Sequence, residues 1–185
     1  MRYRIYSGPG SKKRNALTGC NAGPGTVGDL EKEECVLAQG PLIELIQTVL
    51  NRGSSIRLRA RGYSMDPFIK DGDVLALSPI AAGKPKFGDI VAFKLGEKTK
   101  LVIHRVIQTS ADSCLVKGDC CSEPDGRIPQ KDILGLVSGV ERDGRKIRFG
   151  LGPEKVPIAF LSGKNRLWPL GSLLVDRSAW RSSAV

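Results

Sequence analysis

The chain has 185 residues, room for one domain of ordinary size plus extensions and too few for two large ones. Apolar residues make up 41% and charged residues 26%, a globular balance rather than a disordered one. Aromatics at 5% argue against a platform that stacks single-stranded bases. Lys and Arg outnumber Asp and Glu by 29 to 19, a formal charge of +10. That charge suits an anionic membrane, nucleic acid or an acidic peptide, and equally a solvated face.

The excess is uneven. Net charge is +2 over residues 1–39, +3 over 40–140 and +5 over 141–185. No stretch approaches the ~20 apolar residues that cross a bilayer. The best runs, Val156–Leu161 and Leu170–Val175, are split by Lys164, Asn165 and Arg166. The N-terminus shows no apolar core of a secretory signal. A soluble cytoplasmic protein is expected, at most peripheral to a membrane. Cys20, Cys35, Cys114, Cys120 and Cys121 are odd in number and irregularly spaced, so reduced thiols are expected rather than a disulfide framework. Cys120-Cys121 has no partner pair at zinc spacing. Neither a metal nor another cofactor is expected.

Residues 1–39 read as a disordered basic tail or a misassigned start, with Ser7-Gly8-Pro9-Gly10 and Gly23-Pro24-Gly25 among little apolar periodicity. Residues 40–150 read as the folded domain. Its first element is a helix over Pro41–Asn51: Leu42, Leu45, Ile46, Val49 and Leu50 recur at three-to-four spacing, Pro41 suits the first turn and Gly53 ends it. Strands are expected at Ile56–Ala60, Val74–Leu77, Ile90–Lys94, Val102–Thr109, Cys114–Lys117, Leu134–Val140 and Lys146–Phe149. Turns at Asp71-Gly72-Asp73, Gly88-Asp89 and Asp143-Gly144 separate several of them. No long helix intervenes, so the fold class is mainly β: an open barrel of mostly antiparallel strands with a short N-terminal helix. Residues 151–185 form a basic C-terminal segment. Leu167, Trp168, Leu170, Leu173, Leu174 and Trp180 among Arg166, Arg177 and Arg181 suggest an amphipathic helix that docks on the domain or meets a membrane surface.

The stretch from Arg61 to Asp73 carries the chemistry. Ser64 follows Gly62 by two, just after a strand, with Met65, Pro67 and a Gly72-Asp73 turn behind it. Gly62 permits close backbone approach and Pro67 fixes the exit, which suits a nucleophile in an exposed turn. This stretch resembles the nucleophile box of the signal peptidase I family and, more loosely, the self-cleaving LexA/UmuD-type repressors. The resemblance continues in order through Gly88–Phe93, Ile103–Ile107, Lys117-Gly118-Asp119 with Asp125, and Ile133–Val137, covering roughly residues 56–140.

The resemblance implies a serine endopeptidase that cuts an extended precursor or leader peptide bearing small side chains before the scissile bond. Ser64 would be the nucleophile. Bacterial signal peptidases and LexA-like proteins use lysine as the base; the matching position here is His104, as in the endoplasmic-reticulum and archaeal branch. An imidazole can take a serine proton near pH 7, and a carboxylate would hold its tautomer. Asp119 and Asp125 both match acidic positions of the family, and the choice between them stays open. The oxyanion donors would be backbone N–H groups at Ser64 or nearby, including Met65. Gly62 stands where signal peptidases often offer a hydroxyl. Lys98 and Lys100 remain alternative bases if the strand register differs. The Cys120-Cys121 pair replaces the family's Asn-Asn. No specific nucleic-acid partner is expected. The competing expectation is an inactive peptide-binding or regulatory module of the same fold, docking through its basic C-terminus. A further expectation is cleavage in cis before Pro41.

Overall fold

The computed structural model describes residues 3–6, 35–80, 83–96 and 100–167. In chain order the elements are β1 (Tyr3–Tyr6), β2 (Cys35–Leu37), α1 (Gln39–Asn51), β3 (Ile56–Arg59), β4 (Val74–Ser78), β5 (Ile90–Leu95), β6 (Lys100–Thr109), β7 (Ser113–Lys117) and β8 (Gly126–Pro129). A 3-10 turn (Gln130–Asp132), β9 (Ile133–Arg142), β10 (Arg145–Ile147) and α2 (Lys155–Gly163) follow. Every strand pairing is antiparallel. The sheet runs β2-β1-β3-β4-β9-β5-β6-β7-β8, with β10 hairpinned onto β9. The fold is mainly β and antiparallel with a short helix near its start, as the alternation and turn glycines predict.

All seven expected strands are present, with ends moved by two residues or fewer. The helix α1 starts two residues before Pro41, which then sits in its first turn, where a missing N–H costs nothing. Leu42, Ile43, Ile46 and Leu50 are its buried face, while Leu45 turns to solvent. Gly53, at φ 74°, closes it by donating to the Leu50 carbonyl at 2.9 Å. Helix α1 can lie close on β9 because residue 135 is glycine. A Cβ there would stand 2.7 Å from Leu50 Cδ1 and 2.7 Å from the Ser78 carbonyl oxygen.

Strand β5 explains why Ile90–Phe93 reads as a continuous apolar run. Ile90 and Ala92 face the main core beneath α1, with Leu58, Leu75 and Leu77. Val91 and Phe93 face a second core with Val106, Val116 and Ile128. A strand buried on both faces has no reason to alternate.

Two segments of the expected tail are strands, β1 and β2, which extend the sheet beyond β3. The remaining residues of that stretch lie outside the described residues. Helix α2 was not separated from the weak pattern after Leu151; Ile158 and Leu167 pack on Phe68 and join this segment to the domain. The rest of the expected C-terminal amphipathic helix, from Trp168 on, lies outside the described residues. Among the described residues no helix is long and apolar enough to cross a membrane.

Candidate active site

The loop between β3 and β4 carries Ser64 and is fastened at both ends. Ala60 N–H donates to the Asp73 carbonyl at 2.7 Å and Gly72 N–H to the Ala60 carbonyl at 3.1 Å. Gly62 needs its left-handed φ of 96°, and its N–H donates to Asp71 Oδ1 at 2.8 Å. Asp73, nearly fully buried, accepts from Lys70 N–H and from Arg142 Nε and Nη2, each at 2.8 Å. The Met65 and Ile69 side chains sink into the main core. Ser64 is thus held at the surface between buried anchors.

His104 projects from β6 and is 5% exposed. Its Nε2 lies 2.9 Å from Ser64 Oγ, and its Nδ1 contacts the Asp125 carboxylate. With Nδ1–H donating to Asp125, Nε2 is left to accept the serine proton. Asp125 reaches this position because its N–H bonds the Val116 carbonyl at 3.0 Å, where the β7–β8 pairing begins opposite Gly126. Gly118 makes the assembly possible. A Cβ there would lie 2.7 Å from the Ser64 carbonyl oxygen, 3.0 Å from His104 Nε2 and 2.6 Å from Cys121 Sγ. The following turn returns the favour of that space, with Cys120 N–H donating to the Ser64 carbonyl at 2.8 Å.

The structure therefore separates the two aspartates. Asp125 meets the imidazole; Asp119 does not. Asp119 is fully buried and accepts from Arg105 Nε at 2.9 and 3.0 Å and from Arg105 Nη2 at 2.8 Å. Arg105, next to His104 and also fully buried, spends Nη1 on the Gly88 and Gly150 carbonyls, each at 3.0 Å. This ion pair ties the strand that carries the histidine to the turn that clamps Ser64. Sequence reasoning passed over this role for Arg105 and over Gly118. The available signal was a charged residue within an apolar strand, which must find a partner when buried.

Lys100 lines the same cavity but lies four residues before His104 on β6, and the nitrogen on Ser64 is the histidine's. Lys98 lies outside the described residues. Lys117 is almost fully buried and donates from Nζ to the Ser162 carbonyl at 2.6 Å, at the end of α2. Burial pushes its pKa down, and the neighbouring Cys121, Asp119, Glu123 and Cys120 partly oppose this. Burial pushes the Cys121 thiol up to about 11, with Asp125 adding to the shift. Burial likewise raises Cys120. Both cysteines are protonated near neutrality.

Ser64, His104 and Asp125 border a cavity of about 300 Å³. Met65, Ile69, Leu75, Leu101 and Ile103 supply apolar lining, and Arg61 and Lys100 are exposed members of its wall.

Ser64 from the β3–β4 loop meets His104 from β6 on an antiparallel sheet, an arrangement that fits a serine-peptidase-type fold. The Peptidase S24-like family model matches residues 22–135, and the chain belongs to that family. The match supports the LexA/UmuD-like resemblance. No curated protein matches the chain.

Proposed function

We propose that the protein is a serine endopeptidase in which Ser64 is the nucleophile, His104 the general base and Asp125 its orienting carboxylate. The observation that carries this reading is the continuous contact from Ser64 Oγ through His104 to Asp125. His104 takes the hydroxyl proton as Ser64 Oγ attacks the scissile carbonyl. The oxyanion meets the Ser64 and Met65 N–H groups; among the described residues neither amide donates to a protein acceptor. The imidazolium then protonates the leaving amine as the C–N bond breaks, leaving an ester on Ser64. Water, deprotonated by His104, attacks that ester and releases the acid. By the motif resemblance the substrate is an extended precursor or leader peptide with small side chains before the cut, as for signal peptidases.

The test is cleavage of such peptides by the purified protein. Ser64→Ala and His104→Ala should each abolish it. Cleavage that persists unchanged in either variant overturns the mechanism, and binding without cleavage by the intact protein supports the inactive-module alternative.

A second proposal concerns docking. Val156, Phe160 and Leu161 are exposed on α2, Phe160 at 56%, and Phe149 at 65%. Lys164 Nζ lies 5.0 Å from the Phe160 ring, and Arg145, Lys146, Arg148 and Arg166 are exposed nearby in sequence. Exposed apolar side chains with basic neighbours support contact with an anionic membrane surface. Vesicles containing phosphatidylserine should sediment the protein, and Phe160→Ser should weaken this. Equal recovery with neutral vesicles contradicts it.

A further inference from the structure

The cavity wall holds two cations that the proposed mechanism does not use. Arg61 precedes Ser64 by three residues, and Lys100 begins β6. Both line the cavity that Ser64 and His104 border. Several cations elsewhere in the fold are engaged: Arg57 with Glu141, Arg105 with Asp119, Arg142 with Asp73, Lys155 with Asp89 and Lys117 with the Ser162 carbonyl. Among the described residues, Arg61 and Lys100 have no such partner. Asp125 is the one carboxylate in the described cavity wall, and it is turned to His104.

We infer that Arg61 and Lys100 make this site selective for acidic peptides, with an Asp or Glu side chain about four residues from the scissile bond. The inference rests on the peptidase reading and adds the substrate class to it. The register follows from strand geometry. Lys100 and His104 lie four apart on β6, so their side chains share a face and stand roughly 13 Å apart along the strand. An extended peptide rises by the same amount per residue. With its scissile bond at Ser64 and His104, its fourth residue along β6 comes level with Lys100. Val102, the residue between them on that face, also lines the cavity and is apolar, so an intervening residue is best apolar or small. A carboxylate at the far end meets Lys100, with Arg61 on the same cavity wall adding to the attraction, whereas a lysine there is repelled. Each such contact is solvent-exposed, so each cation should contribute about a two- to fivefold preference, reduced by salt.

The experiment uses the full chain and a mixed peptide library whose cut sites are read by mass spectrometry, with Ser64→Ala as the blank. Asp and Glu should be enriched about four positions from the cut on one side. Lys100→Glu should replace that enrichment with Lys and Arg, and Arg61→Glu should weaken it. Cut sites without acidic enrichment, or enrichment unchanged in both variants, overturn the inference and leave the peptidase reading standing. No Ser64-dependent cuts at all would sink the peptidase reading. The charge selection is then read from fluorescence anisotropy of Ser64→Ala with a labelled Ala-Val dodecapeptide carrying Glu or Gln. Tighter Glu binding that weakens with salt sustains it, and equal binding overturns it.

Discussion

At the scale of single residues, two aspartates six positions apart do different work. Asp125 faces an imidazole that must become charged during the proposed reaction, so its carboxylate matters most in the transition state. Asp125→Asn is expected to lower kcat by roughly 10³–10⁴ while leaving thermal unfolding nearly unchanged. Asp119 instead neutralises a fully buried guanidinium. Asp119→Ala should cost about 3–5 kcal/mol of stability in a denaturant titration, since an uncompensated charge stays buried. Comparable stability losses in both variants would contradict this division.

Two further residues give pH-dependent outcomes. Cys121 borders the cavity, but with its thiol pushed up to about 11 it is a poor nucleophile near neutrality. Its alkylation by iodoacetamide should be slow at pH 8 and accelerate as pH rises toward 11. Fast alkylation at pH 7 would contradict the burial argument. Asp66 is buried beside the nucleophile; desolvation raises its pKa, with Lys70 and Arg142 opposing and Asp73 adding. The folded state then binds more protons than the unfolded state above pH 3.8. Stability from this group therefore falls as pH rises from there through the folded-state pKa. Asp66→Asn should flatten that part of the stability profile and raise stability at pH 7. An unchanged profile in a set of urea titrations would count against it.

At the scale of elements, the seven strands from β3 to β7 and β9 to β10 were legible because period-two burial and turn glycines leave marks in the sequence, whereas β1 and β2 fell in the stretch read as a tail. Strand β8 was not legible, since Gly126–Pro129 has a single buried apolar residue, Ile128, and ends in proline. Helix α2 was hidden for another reason: Pro157 reads as a breaker, yet in the first turn it is tolerated. Ser64 and His104 could be found from the order of their boxes. The partner carboxylate could not, because it depends on how the Gly118 turn folds back and where β7 and β8 fall into register. Gly135 makes the element-scale prediction. Gly135→Ala should destabilise the protein by about 1–3 kcal/mol, because its methyl meets the Ser78 carbonyl between β9 and β4 as well as Leu50 of α1. A neutral effect in a thermal melt would show that the sheet and helix can part there.

For the whole molecule, the family match and the site describe the same part of the chain. Residues 22–135 carry the Peptidase S24-like pattern, and Ser64, His104 and Asp125 all fall within it. The basic excess is greatest after residue 140, outside that match. In the cavity wall the cations are Arg61 and Lys100, and the rest of the excess lies away from it. The sequence resemblance names lysine as the base of LexA-like proteins, whereas here the imidazole of His104 occupies hydrogen-bonding distance from the serine. That difference makes activation of Ser64 by His104 the central claim. It is tested by quenching the protein with acid during turnover of a cleaved peptide and measuring its intact mass. The predicted result is an acyl adduct mapped to Ser64, absent from Ser64→Ala and His104→Ala. Peptide cleavage at the wild-type rate by either variant would contradict it.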